Sequence, residues 1–186
     1  MDKANQEHME LLMRTLKFTA DTKDSGILIR KDTQEPIKLI GYEDSSFATD
    51  KYTRISVTGY VIYANKFIIA WKSKIQSSVT LSNTKSEYVA LSMCLMEMIF
   101  IKQVCKSVNQ PIQTPMILYT NNIGAIGMCH NATTSGSIRH VDIMWHFIRE
   151  WITKGWVIIK HVSTKSNVSD ACNKNLNTEK KNNSKI

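Results

Sequence analysis

The distribution of apolar residues in the central part of the chain predicts β-strands. Residues 37–42 form one apolar run, and residues 55–64 and 66–74 form two longer runs rich in β-branched and aromatic side chains. The short connection between the second and third runs indicates a hairpin, so we expect the first three strands to be antiparallel. Residues 116–119 and 156–162 are further short apolar runs, which predict a fourth and a fifth strand.

Apolar residues recur at the three- and four-residue steps of helices between and after these strands. The longest such segment begins near residue 84 and has a stripe at positions 88, 91, 95, 98, 101 and 105, which we interpret as core and not as a cofactor site. Further helices are expected at residues 122–129 and 140–154, the second ended by Gly155. Helices that separate strands favour right-handed crossovers. The predicted class is therefore α/β, with a mixed five-stranded sheet, three strands antiparallel and the later ones parallel, flanked by helices.

The two ends of the chain differ from this central pattern. Residues 7–22 have apolar side chains at helical spacing, and a short strand is expected at residues 27–30. We therefore assign residues 1–36 to an N-terminal segment and residues 37–173 to the main domain. Residues 174–186, which are rich in Lys and Asn, are expected to form a disordered tail.

The chain is basic overall. Its 186 residues include 24 Lys and Arg against 16 Asp and Glu, a formal net charge of +8. Such an excess attracts polyanions and makes their binding salt-dependent, so nucleic acid is the expected partner. The alternative is that lysines near the ends of the chain only keep it soluble.

The cysteines and the N-terminus indicate an intracellular protein, in the cytoplasm or the nucleus. Cys94 and Cys105 lie too far apart along one predicted helix for a disulfide, and Cys129 and Cys172 have no spacing typical of zinc sites. Reduced thiols are therefore expected. The first residues lack the uninterrupted apolar core of a signal peptide, and we expect no membrane-spanning segment.

Three acidic residues lie at the ends of different predicted elements. Asp44 is on the first strand, Glu87 begins the long helix and Asp170 starts the last helical turn, while a fourth such position, at the end of the fourth strand, carries Asn121. Ligands of open α/β sheets collect where strands end and connections diverge, so these residues could converge. Each acid alone has a commoner role: a loop carboxylate at Asp44, a capping box with Thr84 at Glu87, and a helix N-cap at Asp170.

Several ordered motifs carry a family resemblance over roughly residues 7–175. The motifs are LIGYEDSSFATDKYTRISVTGYVIYANKFIIAWKSKIQSSVTLSNTKSEYVALS, LYTNNIGAIGMCHN, SIRHVDIMWHFIREWITKG and STKSNVSDACNKNL. They closely resemble the ribonuclease H domain of copia-type retrotransposon Pol polyproteins. EHMELLMRTLKFTADTKDSGI resembles the segment that links the polymerase to that domain. The resemblance implies a ribonuclease H-like fold and a fragment of such a polyprotein.

The activity that this resemblance implies is hydrolysis of the RNA strand of an RNA–DNA hybrid with two divalent ions, Mg²⁺ or Mn²⁺. Carried over position by position, the expected metal ligands are Asp44, Glu87 and Asp170. Asn121 stands where the family has Asp. His140, in the family-like run RHVDI, is a candidate for proton transfer.

Asn121 is expected to weaken metal binding, because it replaces a charged ligand by a neutral one of nearly the same size. Ser46, Lys85 and the run SDACNKNL also depart from the family pattern. We therefore predict a nucleic-acid-binding fragment with little or no hydrolase activity. The alternatives are an active endonuclease that cleaves hybrids, and a recruited interaction module or unselected relic. Reverse transcriptase and other Pol components are further possible partners.

A basic, hydroxyl-bearing segment beside the proposed metal site is the expected nucleic-acid contact, on phosphates and 2′-hydroxyls along a minor groove. Its residues are Trp71, Lys72, Ser73, Lys74, Gln76 and Ser77. The alternative is an ordinary solvated hairpin edge with Trp71 in the core. His146 is expected to pack beneath its helix, and His161 is a further possible proton-transfer residue.

Overall fold

A computed structural model describes residues 5–26, 36–49, 52–130 and 139–174, without the side chains of residues 139–142. Contacts divide the chain into two compact units, Met1–Lys31 and Asp32–Ile186. The strand expected at residues 27–30 lies outside the described residues, as do residues 175–186 of the tail expected at 174–186.

The smaller unit contains helix α1, Gln6–Asp21. A reciprocal capping box begins it: the Asn5 side chain accepts from the His8 amide at 2.9 Å, and the His8 ring accepts from the Asn5 amide at 3.2 Å. These two bonds satisfy amides that have no partner within the helix. The helix predicted from the spacing of apolar residues is thus confirmed.

The larger unit is built on a mixed five-stranded sheet, as predicted. Its strands are β1 (Ile37–Ser46), β2 (Val57–Ala64), β3 (Phe67–Ile75), β4 (Ile112–Thr120) and β5 (Val157–His161). Their spatial order is β3-β2-β1-β4-β5. The first three pair antiparallel, whereas β4 pairs parallel with both β1 and β5. The expected fold class is confirmed.

Four helices and one short turn complete the described part of this unit. They are α2 (Asn83–Ser107), α3 (Ile123–His130), α4 (Arg139–Thr153), a 3₁₀ turn (Thr164–Ser166) and α5 (Asp170–Asn173). Each of the predicted helices is present within a few residues of its expected bounds. The backbone of Gly155 has a φ of +68°, the left-handed conformation that commonly ends a helix.

Helix α2 provides most of the core. Its predicted stripe includes Tyr88, Leu91, Leu95 and Met98, all fully buried within one cluster that also contains Leu118 of β4. Burying side chains of this size stabilises the fold by roughly 1.5–3 kcal/mol each. The stripe is therefore structural, as expected.

We expected that no segment is long enough to cross a membrane. Judged by length and composition alone, α2 does not meet this expectation. Asn83–Ser107 is long and apolar enough to cross one. The central helix of a folded domain meets the same criterion, and the buried stripe of α2 is the physical reason here.

Strand β1 is longer than the apolar run that predicted it. It continues to Ser46, so Asp44 lies inside the strand, opposite Gly59 of β2. Polar side chains at positions 43 to 46 concealed this continuation, because they interrupt the apolar pattern. Strand β4 runs parallel to β1 and ends at Thr120. The carboxyl ends of β1 and β4 therefore meet at one edge of the sheet, where Asn121 follows β4.

Helix α5 lies directly against Gly59. A Cβ added to this glycine would be 2.9 Å from Cys172 Cβ and 3.0 Å from the carbonyl oxygen of Ser169. Both distances are too short for ordinary packing, so the absence of a side chain on β2 permits the close approach of α5. This approach brings Asp170 to the edge of the sheet that holds Asp44.

Candidate functional site

Asp44 is the centre of a hydrogen-bonded cluster. Its side chain is buried, and three donors contact it: Asn121 Nδ2 lies 2.7 Å from Oδ1, while Asn173 Nδ2 and Lys174 Nζ lie 2.8 Å and 2.6 Å from Oδ2. Both carboxylate oxygens therefore have partners from the chain itself. The sequence predicted the proximity of Asp44 and Asn121, but not the other two contacts.

Asp170 joins this cluster through Lys174. The Lys174 Nζ atom lies 2.8 Å from Asp170 Oδ1 and so bridges two carboxylates whose side chains are only 1% and 3% exposed. Burial lowers the pKa of Lys174, but hydrogen bonds and charges from Asp170 and Asp44 outweigh it and raise the pKa overall. The ammonium group therefore stays charged.

The N-cap role considered for Asp170 is wrong. Ser169 is the N-cap residue and Asp170 is the first residue of α5. Lys174, which sequence reasoning placed in the tail, lies one helical turn after Asp170. That i, i+4 spacing is the signal that could have indicated the pair.

Glu87 lies on the first turns of α2 and points to β1. Its Oε2 accepts a hydrogen bond from the Ser45 amide at 2.9 Å. The capping box considered with Thr84 is wrong, because Ser82 caps the helix by accepting from the Lys85 amide. Glu87 is thus free of a capping role.

The pKa of the Glu87 carboxyl is raised to about 8. Burial is the largest cause and the charge of Asp44 adds to it, while the hydrogen bonds from Ser45 and the charge of Lys174 oppose the shift. Glu87 is therefore largely protonated at neutral pH and adds little negative charge to the cluster.

Glu43 is a fourth acidic residue at this site, and sequence reasoning missed it. It is fully buried, and neither carboxylate oxygen meets the geometry of a hydrogen bond. Burial and the charge of Glu87 raise its pKa well above the ordinary value, with a partial offset from the Thr120 side chain. The alternation of side chains along a strand could have indicated the burial of Glu43, because Glu43 and the buried Leu39 lie on the same face of β1.

Asn121 presents a donor to Asp44 at the position where the resemblance predicts a carboxylate. Its amide N–H group donates to Asp44, so Asn121 occupies one acceptor position on that carboxylate and contributes no charge. Among the described residues, no group of three His, Cys, Asp or Glu side chains is arranged to hold a metal ion. The expected ligands Asp44, Glu87 and Asp170 approach one another, but their oxygens are engaged by Lys174, amides and backbone. This arrangement does not fit a divalent ion.

The candidate histidines do not join this cluster in the part of the chain whose side chains are described. The side chain of His140 is not among the described side chains. His146 is exposed and lines a shallow pocket with Arg149, so the expectation that it packs beneath α4 is wrong. His161, the last residue of β5, is also exposed.

Trp71, Lys72, Ser73 and Lys74 of the predicted nucleic-acid segment lie on the edge strand β3, and Gln76 and Ser77 follow its end. The side chain of Trp71 is 63% exposed, which excludes the alternative that it belongs to the core. The other exposed members are Lys72, Ser73, Lys74 and Ser77. Gln76 is a correction: it is buried, and its amide donates to Thr58 and to the carbonyl of Ser86. Its side chain supports the sheet and is unavailable to a ligand.

Comparisons with known proteins show which proteins this chain is similar to. The chain is 31% identical over 176 residues to the Retrovirus-related Pol polyprotein from transposon RE1 of Arabidopsis thaliana, covering 95% of the chain. It is 30% identical to the corresponding polyprotein from transposon RE2 of the same plant, again over 95% of the chain. The chain is related to copia-type Pol polyproteins. It spans 12% of the length of each of these two curated relatives. No protein-family model matches it.

Solved structures share the fold of this copia-related chain at low sequence identity. The N-terminal ribonuclease H domain of Rv2228c from Mycobacterium tuberculosis has a TM-score of 0.54 and 11% identity, over 74% of this chain and 91% of that one. LC11-RNase H1 in complex with RNA/DNA hybrid has a TM-score of 0.53 and 16% identity, over 73% and 94%. A foamy viral protease-reverse transcriptase in complex with RNA/DNA hybrid has a TM-score of 0.50 and 15% identity, over 92% and 26%. The fold is that of ribonuclease H.

Proposed function

We propose that this copia-related domain binds RNA–DNA hybrids or other nucleic acid and cleaves them weakly or not at all. The observation that carries the proposal is the contact of Asn121 Nδ2 with Asp44 Oδ1 at 2.7 Å. An amide that donates to a carboxylate holds that carboxylate in place as a structural acceptor. Asn121 therefore acts at this position as a partner of Asp44 and not as a second negative ligand.

The loss of charge at position 121 is large on the scale of catalysis. A unit charge 4 Å from another contributes about 4 kcal/mol at an effective dielectric constant of 20, and more beside a divalent ion. Each 1.36 kcal/mol lost from transition-state stabilisation lowers the rate tenfold. Replacing the family's Asp by Asn121 is thus sufficient to reduce cleavage by orders of magnitude.

Binding depends on a different set of contacts and can outlast cleavage. Lys72 and Lys74 are exposed on the edge strand β3, and Trp71 is exposed beside them. Lysines supply contacts to phosphates, and an exposed indole supplies a surface for stacking. The solved relatives of this fold that contain RNA/DNA hybrid support the choice of ligand. Other Pol components, reverse transcriptase among them, and an intracellular location belong to the same proposal.

The binding role predicts that Lys72→Ala/Lys74→Ala weakens hybrid affinity and lowers its salt dependence. Each lost phosphate contact reduces the slope of log K against log salt by roughly 0.7–0.9, so the double variant should lose about 1.5. Fluorescence anisotropy with a labelled hybrid at several KCl concentrations measures both quantities. Lys106→Ala/Lys154→Ala is the matched control, because it removes the same charge from exposed positions on α2 and directly after α4. Equal effects of the two double variants would show that β3 is not the binding surface.

The convergence of Asp44, Glu87 and Asp170 at one sheet edge favours the second candidate function, an active endonuclease. The two candidates differ in one assay on the unmodified chain. Incubation of the labelled hybrid with excess protein and MgCl₂ should leave the RNA strand intact under the first proposal and release short RNA under the second.

A further inference from the structure

We propose that Lys174 is a built-in counter-ion whose ammonium group takes the place of a divalent cation between Asp44 and Asp170. The acidic cluster is then held together by the chain itself, and a metal ion can enter only when Lys174 leaves. This inference rests on the proposed function, which treats the cluster at Asp44 as a nuclease-like metal site. It concerns the stability of the domain and not its binding of nucleic acid.

The geometry of the contacts supports this role. Lys174 Nζ lies 2.6 Å from Asp44 Oδ2 and 2.8 Å from Asp170 Oδ1, so a single cationic atom joins the two carboxylates. Buried carboxylates left without a positive partner repel one another and are costly. Asn121 and Asn173 donate to the remaining positions on Asp44. The two carboxylates and the ammonium together carry one net negative charge.

The fold directs Lys174 to this position. Helix α5 begins at Asp170, and Lys174 follows its last residue, so the two side chains lie one turn apart on one side of the helix. The contact of α5 with Gly59 fixes the helix against β2. These constraints make the bridge a property of the packed domain and not of a mobile surface side chain.

A route for exchange also exists. The Lys174 side chain is 37% exposed and lines an open cavity of about 520 Å³ together with Ser46, Ser73 and Asn173. The ammonium group could therefore leave Asp44 for solvent without unfolding the domain. A divalent ion and Lys174 would then compete for the same two carboxylates.

Asn121 decides this competition in favour of the lysine. With one ammonium group, a cluster of two carboxylates keeps one net negative charge, whereas a third carboxylate at position 121 would leave two and so favour a divalent ion. The two positions thus act together, because position 121 sets the negative charge and Lys174 supplies the positive charge.

Thermal unfolding of the full chain in EDTA and in MgCl₂ tests this inference. The unmodified chain should unfold at the same temperature, within 1 °C, in about 1 mM EDTA and about 10 mM MgCl₂. Lys174→Gln should unfold at a lower temperature in EDTA and regain about 3–6 °C in MgCl₂ as the ion binds the vacated carboxylates. Lys154→Gln, which removes an exposed i, i+4 partner of Glu150, is the control and should change neither value by more than about 1 °C.

Two outcomes would overturn the inference: an equal MgCl₂ effect on the unmodified chain, or a folded Lys174→Gln variant without any MgCl₂ effect. If Lys174→Gln fails to fold, a titration of the unmodified chain with Mn²⁺, followed by the electron paramagnetic resonance of free Mn²⁺, decides. No binding at about 1 mM Mn²⁺ supports the counter-ion, and stoichiometric binding refutes it. Hybrid affinity is measured separately, so the binding proposal can fail while this inference stands, and the reverse.

Discussion

At the scale of single residues, the site is an acidic cluster that the chain neutralises from within. Lys174 supplies a positive charge, Asn121 and Asn173 supply donors, and burial keeps Glu87 largely protonated. Each of these contacts removes negative charge or free oxygen atoms that a divalent ion would need. The same residues that match the nuclease pattern therefore form a stable polar network.

The raised pKa of Glu87 predicts how stability depends on pH. Its folded value of about 8 exceeds the ordinary value of 4.5, so the folded state holds a proton that the unfolded state has released between these values. Stability is then greatest below pH 4.5 for this group and falls as pH rises toward 8. We expect Glu87 to contribute a loss of roughly 3–4 kcal/mol between pH 5 and 8.

Glu87→Gln should remove this loss, because the amide oxygen can still accept from Ser45 but cannot ionise. Urea unfolding at pH 5, 6, 7 and 8 measures the free energy of unfolding of both proteins. Exposed Glu150→Gln is the control and should keep the slope of the unmodified chain. If the free energy of unfolding of Glu87→Gln changes with pH as steeply as that of the control, the assigned pKa is contradicted. A smaller pH dependence that remains in Glu87→Gln is attributed to Glu43.

Asp44, Glu87, Asn121 and Asp170 could be found from the sequence because each follows an apolar or helical pattern within a recognisable motif. The spacing of Asp170 and Lys174 could have indicated their pairing, but the contact of Lys174 with Asp44 could not be predicted, because it depends on how closely α5 approaches β2.

At the scale of elements, the site depends on where two parallel strands end and one short helix begins. β1 and β4 end side by side, and α5 is held across β2 at Gly59. The order and type of these elements were predictable from periodicity, but the true end of β1 was not. Its polar residues face buried partners on α2 and α5, and such tertiary contacts override the local pattern.

Gly59→Ala tests the element that positions Asp170 and Lys174. The added methyl group meets Cys172 Cβ and the Ser169 carbonyl, so α5 must shift or β2 must bend. We expect a loss of about 1–3 kcal/mol in the free energy of unfolding, measured by urea denaturation. Gly26→Ala is the control, because no atom lies within 4 Å of its added Cβ. Equal stability of the two variants would show that α5 does not pack closely on β2.

At the scale of the whole molecule, a basic chain with the ribonuclease H fold combines an intact architecture with an altered centre. The net charge of +8 and the exposed lysines of β3 favour polyanion binding. The cluster at Asp44 lacks the fourth carboxylate expected from the family pattern. We propose that these two properties separate binding from cleavage.

The most direct test is the single-turnover cleavage rate of a labelled RNA–DNA hybrid by the unmodified chain and by Asn121→Asp, in MgCl₂ and at saturating protein. We predict that Asn121→Asp cleaves at least about 100-fold faster, because it restores a charged group where the transition state needs one. Both proteins should bind the hybrid with similar affinity. Cleavage by the unmodified chain as fast as by Asn121→Asp would contradict the account.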